Sequence, residues 1–196
     1  MLPVILHRVA NATQHLNGLS ALLAVDPGAL AARGDDLAET SDRVDDAGWL
    51  LALIASASGS RLLLARRERE GLAPLVECIR ECLRRAGRDL AGPVEPLPNL
   101  APEVGEGWQL PWAIGTLLHE AANSLPARAT LAWSVRRAPE RPGTVAVACA
   151  PAADFDPKDL ATWLARELPA ARLNSAGGEL ALELPAVWLP ARARTA

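Results

Sequence analysis

The residues with chemistry to offer lie near the N-terminus, in Leu6-His7-Arg8-Val9-Ala10-Asn11. An imidazole can attack as a nucleophile or move a proton at neutral pH. Arg8 follows His7 directly and is a fixed cation that cannot act as a base. On a helix, Asn11 stands one turn and Gly18 three turns further along roughly the same strip. A histidine placed so is either solvated surface or a nucleophile presented on a helical wall. His15 lies about 80° around that helix from His7 and reads as bundle surface. His119 falls in a later helix and reads as a core-edge residue. The cysteines, Cys78, Cys82 and Cys149, are odd in number and have no His or further Cys at ligand spacing. They read as reduced packing residues, and no metal site is expected.

The element that must position His7 is a helix running to about Val25. Its apolar seam is Leu6, Val9, Thr13, Leu16, Ser20 and Leu23, spaced alternately by three and four. That spacing belongs to a helix in a bundle. Asp26-Pro27-Gly28 should stop it. A second helical region is expected from Ala29 to Ser58, with its polar start, Arg33 to Asp36, frayed. Two helices joined by a short turn make an antiparallel hairpin. One hairpin cannot cover its own apolar face, so a four-helix bundle in a homodimer is the simplest completion.

Beyond Ser58-Gly59-Ser60 the pattern changes. Arg61 to Ala65 reads as a short strand or helix end, and Leu72 to Arg85 as an amphipathic helix. Pro93 to Pro102 holds four prolines and reads as an extended surface connection. Trp108 to Leu125 is helical, and Trp108 and Trp112 are expected to cover a sheet. Ala129 to Val135, Thr144 to Cys149 and Glu179 to Leu184 carry strand signals, and residues 158–168 are helical. The expected fold class is therefore α+β. Residues 1–60 form the hairpin domain, and residues 61–196 an α/β two-layer sandwich with a mostly antiparallel sheet.

Composition narrows the function. The chain has 196 residues, half of them apolar, with 20 basic and 23 acidic side chains and a net charge of −3. No basic field argues for nucleic acid as a partner. No apolar run approaches the roughly 20 residues that cross a bilayer, and no signal peptide is evident. A cytoplasmic protein is expected.

The order of hairpin and sandwich resembles the core of bacterial sensor histidine kinases. His7-Arg8-Val9-Ala10-Asn11, followed by Gly18 and Leu22-Leu23, looks like their phospho-acceptor box, commonly His-Glu-x-x-Asn-Pro-Leu with a later Gly and Leu-Leu. Gln109-Leu110 through Pro126 resembles the helix carrying the kinases' nucleotide-binding asparagine. Gly177-Gly178-Glu179-Leu180 through Pro185 looks like the closing strand of their ATPase domain.

The departures from that pattern are informative. Arg8 stands where the kinases usually carry an acid. Aligning Leu117-Leu118 and Pro126 puts Glu120 at the magnesium-ligating asparagine, while a one-turn shift would offer Asn123. Ala150-Pro151-Ala152-Ala153-Asp154 falls on the adenine-binding Asp-x-Gly-x-Gly, so Ala150 has no carboxylate for the adenine amino group. The glycines that let a backbone approach the ligand are missing as well. No glycine-rich lid lies between Pro157 and Gly177 to cradle phosphates. The resemblance thus implies a degenerate ATPase-like domain that binds no ATP and needs no cofactor of its own.

This combination is most similar to the ChpT-type histidine phosphotransferases. In a phosphorelay the receiver domain of a response regulator supplies the aspartyl phosphate and the magnesium, and the phosphotransferase presents a histidine on a rigid helix. The resemblance then gives His7 the phosphoryl group. Arg8 would offer charge, Asn11 a hydrogen bond, and Ala10, Gln14 and Gly18 a docking surface. The implied partners are receiver domains, an upstream hybrid histidine kinase and a second copy of the chain. The alternatives are a non-catalytic pseudokinase that binds receivers or kinases, and an ATP-binding member of the same superfamily.

Overall fold

The structure, a computed structural model, describes residues 2–26, 28, 33–57, 72–92, 99–102, 108–138, 141–151 and 155–189. It is α+β and divides into two compact units, Met1–Leu63 and Leu64–Ala196.

The first unit is the hairpin of α1 (Leu2–Val25) and α2 (Gly34–Ala57). Where α1 ends, Asp26 donates its N–H to the Leu22 carbonyl and its carboxylate accepts from the Gly28 N–H. This is an aspartate closing its own turn. Residues 29–32 lie outside the described residues. The polar start expected to fray is instead the first turn of α2. Asp35 and Asp36 sit at its positive end, where acidic side chains are favoured, and Arg33 pairs with Asp36 at 3.3 Å. Contacts across the hairpin run antiparallel: Arg43 bonds His15, and Arg8 acts electrostatically on Asp46.

Among the described residues, the hairpin's buried apolar side chains are Val4, Ile5 and Ala12 on α1, with Ala47, Leu50 and Leu53 on α2, and Thr40 is buried with them. Much of the seam read from sequence points outward. Leu6 and Leu16 are 52% and 45% exposed, and Thr13 and Ser20 are exposed with them. On α2, Leu37, Val44 and Leu51 repeat every seventh residue and are 39%, 36% and 38% exposed. Apolar residues at strict heptad spacing, left open along their length, form a coiled-coil-like stripe.

The second unit packs three helices on a six-stranded sheet. The helices are α3 (Ala73–Arg85), α4 (Gln109–Asn123) and α5 (Lys158–Glu167). The strands are β1 (Asp89–Ala91), β2 (Asn99–Pro102), β3 (Thr130–Arg137), β4 (Thr144–Ala150), β5 (Arg172–Ala176) and β6 (Glu179–Leu189). Their order is β1-β3-β4-β6-β2, with β5 also paired to β6. Only β1 and β3 run parallel. The expected connection from Pro93 to Pro102 is corrected at its end, because Asn99–Pro102 is a strand in register with Leu189–Ala186. Residues 93–98, and the Arg61 to Ala65 segment, lie outside the described residues.

Alternation explains which sheet face is covered. Trp133, Cys149 and Leu180 lie side by side in register, as do Val135, Val147 and Leu182. Of these, all but half-buried Val135 are buried. α4 lies on β3, β4 and β6 and carries buried Ile114, Leu117, Leu118, Ala121 and Ala122. Truncating a leucine such as Leu182 here would cost about 2–5 kcal/mol. α3 packs on α4, where a Cβ on Gly115 would meet Leu75 Cδ2 at 3.1 Å. The opposite face is polar, with ion pairs Arg136–Glu179 at 3.2 Å and Arg141–Glu183 at 3.1 Å. Trp108 meets Trp163 of α5 edge to face, with centroids 6.1 Å apart. Burial pushes the Cys149 thiol up to about 12, which keeps it protonated; none of the three cysteines is in a disulfide.

Two glycine positions shape the connections. α3 ends with Gly87 at φ +69°. Gly87 N–H reaches Arg84 O at 3.0 Å and Arg88 N–H reaches Leu83 O at 2.8 Å, the paired bonds of a Schellman stop. Gly177 and Gly178, both at positive φ, make the two-residue turn between β5 and β6. Among the described residues no helix is long and apolar enough to cross a membrane.

Candidate functional site

α1 puts His7 on an exposed helical wall. Among the described residues its hydrogen-bond partner is Asn11, whose Nδ2 lies 3.2 Å from His7 Nε2. An amide nitrogen can only donate, so Nε2 accepts and Nδ1 carries the ring proton. The lone pair that would attack an electrophile is therefore held at Nε2. This is the one contact the i, i+4 spacing of His7 and Asn11 was expected to allow. Thr13 next to this strip bonds back to the Val9 carbonyl at 2.9 Å, so it stays within the helix.

Arg8 is half-buried and turned toward α2. The Asp46 carboxyl is raised above its ordinary value by desolvation. Arg8 opposes that rise, and Asp42 and Asp45 add to it. Arg8 thus shares its charge with an acidic ridge on α2. Ala10, Gln14 and Gly18 are all exposed on α1. Nothing lies within 4 Å of where a Gly18 Cβ would stand, so the fold of this chain does not require a glycine there.

His15 is also exposed, but a guanidinium covers its lone pair: Arg43 Nη1 donates to Nε2 at 2.9 Å, and Arg43 is itself bonded to Glu39. That leaves His7 as the histidine of α1 whose ring faces a neutral donor.

The residues read as remnants of a nucleotide site, Glu120, Asn123 and Ala150, are differently disposed. Ala150 is the last residue of β4, and Ala152 to Asp154 lie outside the described residues. Glu120 and Asn123 are exposed near the end of α4, and both bond His119. Sequence reading passed over this cluster, taking His119 as a core edge. The signal was present, because a carboxylate and an amide at i+1 and i+4 from a histidine can both reach its ring. Among the described residues no group of three or more His, Cys, Asp and Glu side chains could hold a metal ion.

No protein-family model matches the chain, and no curated protein matches it. Solved structures give remote likenesses. The histidine kinase domain of a blue-light activated histidine kinase from Erythrobacter litoralis is 14% identical, with 92% of each chain covered and a TM-score of 0.41. A structure described as a bacterial phosphotransferase is 12% identical over 95% of this chain and 93% of that one, with a TM-score of 0.37. The Acinetobacter baumannii histidine kinase AdeS is 12% identical over 91% and 94%, at 0.38. At this level of superposition the chemistry has to be argued from the residues themselves.

Proposed function

We propose that this chain is a histidine phosphotransferase of a two-component phosphorelay. In this reading His7 Nε2 attacks the phosphorus of a receiver's aspartyl phosphate. The acyl P–O bond breaks, the carboxylate leaves, and a P–N bond forms. The phosphoryl group later passes to a second receiver by the same step reversed. One observation supports this most: His7 is exposed on a long helix, with its ring tautomer fixed by Asn11 at 3.2 Å. A rigid wall of that kind supplies reach and orientation, the part of catalysis left to the acceptor when the donor brings the electrostatics. Ala150 in place of a carboxylate supports an ATP-independent route. The test is transfer of labelled phosphate from phosphorylated receivers of the same genome, with ATP alone as control. Acid-labile label from a receiver is the expected result, and label from ATP alone overturns the reading.

The outward stripe on the hairpin supports a homodimer joined as a four-helix bundle. Analytical ultracentrifugation should then find twice the 20.7 kDa chain mass. Leu51→Glu, which places a charge in the stripe at an already exposed site, should bring the mass to one chain with the helicity unchanged. Wild-type protein sedimenting as a single chain would sink the dimer.

Gly18 separates docking from folding. Glycine in an open helix interior costs about 1 kcal/mol relative to alanine, so Gly18→Ala should raise the hairpin's stability by about that amount. If a receiver helix packs against this strip, the same variant should slow transfer several-fold. Stabilisation without slower transfer would remove Gly18 from the docking surface.

A further inference from the structure

The three histidines of the chain differ in what faces each ring. His7 has an amide at Nε2 from the residue four further on, at 3.2 Å. His119 has an amide at the same spacing on α4, with Asn123 Nδ2 3.2 Å from both ring nitrogens. His119 has in addition what His7 lacks. The Glu120 carboxylate lies 3.0 Å from its Nδ1. A carboxylate only accepts, so Nδ1 carries the proton and Nε2 the lone pair; the Asn123 amide, equally far from both ring nitrogens, favours neither tautomer. His15 is the opposite case, with the Arg43 guanidinium donating to Nε2 at 2.9 Å.

From this contrast we infer that His119 is a second nucleophilic histidine, able to accept a phosphoryl group at Nε2 from an activated phosphoryl donor. As Nε2 attacks phosphorus, positive charge develops on the ring. The Glu120 carboxylate stands at Nδ1 to stabilise it and then to take the Nδ1 proton. A nucleophile oriented by a hydrogen-bonded third group is the arrangement that covalent catalysis uses. The Asn123 amide, 3.2 Å from both ring nitrogens, is near enough to donate to an oxygen of the incoming phosphoryl group. The His119 side chain is 20% exposed and that of Glu120 52%, so the ring is held yet open to a small donor. All three groups lie on one helix of the second unit, and the inference does not depend on the role of His7.

The test uses the full chain and phosphoramidate as the donor. In the reaction Nε2 attacks phosphorus, the P–N bond of the donor breaks, ammonia leaves, and the new P–N bond forms on the ring. Label at each histidine is followed separately by mass spectrometry at neutral pH, so His15 is the internal reference. His119 should label at least tenfold faster than His15. Glu120→Gln should bring His119 down to about the His15 rate, and Glu120→Asp should restore part of the difference. Neither change should alter His7 or His15. Glu120 is exposed, so the fold tolerates both substitutions, which circular dichroism verifies. A His119 rate no faster than that of His15, or one unchanged by Glu120→Gln, overturns the inference. Label at His119 with none at His7 supports the inference while telling against the phosphotransferase reading of His7.

Discussion

Gly92→Ala should destabilise the α/β unit by about 3 kcal/mol, near the top of the range for overpacking a core. A Cβ built on Gly92 would stand 1.8 Å from Trp133 Nε1 and 2.1 Å from Cδ1. Trp133 is 5% exposed and sits in the ladder row between Leu131 and Val135, so its rigid indole has little room to retreat. Its Nε1 is buried without a hydrogen-bond partner, because the indole edge is turned against the backbone just past β1. At about 2–4 °C per kcal/mol for a chain of this size, the melting temperature should fall by about 10 °C, read by circular dichroism. Trp133→Phe removes both the crowding edge and the unpaired N–H, and the double variant should recover at least half of the loss. Two single effects that simply add would mean that the two residues do not share this contact.

The contact between Gly92 and Trp133 was not legible in the sequence, and the reason is general to this chain. Periodicity reports which residues share a face, not what meets that face. The alternation of β3 and β4 and the apolar stripes of α3 and α4 were therefore readable. β1 is only Asp89-Leu90-Ala91, too short to alternate, and it is held by parallel backbone pairing with β3. β5 reads Arg-Leu-Asn-Ser-Ala, and most of it is exposed, so no core imposes a pattern on it. β2 lies at the end of a proline-rich run and exists because the long strand β6 continues past Pro185 to receive it. The hairpin shows the same limit from the other side. Leu6 and Leu16 were read as a packing seam, and only the structure separates that outward pair from the buried set of Ile5, Leu50 and Leu53. At the candidate site, His7 and Asn11 were legible because i, i+4 spacing on a helix leaves little else to decide. Arg8 was not, since its facing acids come from α2, and Glu120 was read only as the replacement of a magnesium-ligating asparagine, so its bond to His119 went unread.

His7→Ala should abolish phosphoryl transfer from receivers, with a loss of at least 100-fold. The variant removes the ring nitrogen that forms the P–N bond in the proposed reaction. His7 is exposed, and so is its hydrogen-bond partner Asn11, so folding stability should stay within about 0.5 kcal/mol, and lost transfer cannot be blamed on lost structure. Asn11→Ala divides the contribution further. It leaves the nucleophile but frees both tautomers, and it removes an N–H that could turn from Nε2 to a phosphoryl oxygen once the bond forms. A loss of about tenfold is expected, the scale of one neutral hydrogen bond of about 1.4 kcal/mol. On the proposed docking surface of Ala10, Gln14 and Gly18, which leaves the ring out, receiver binding should survive both changes. Binding that persists while wild-type transfer is absent would identify a chain that titrates receivers without chemistry. Transfer undiminished in His7→Ala would move the acceptor elsewhere, and His119, with a carboxylate at Nδ1 and an amide beside its ring, is then the residue to substitute next.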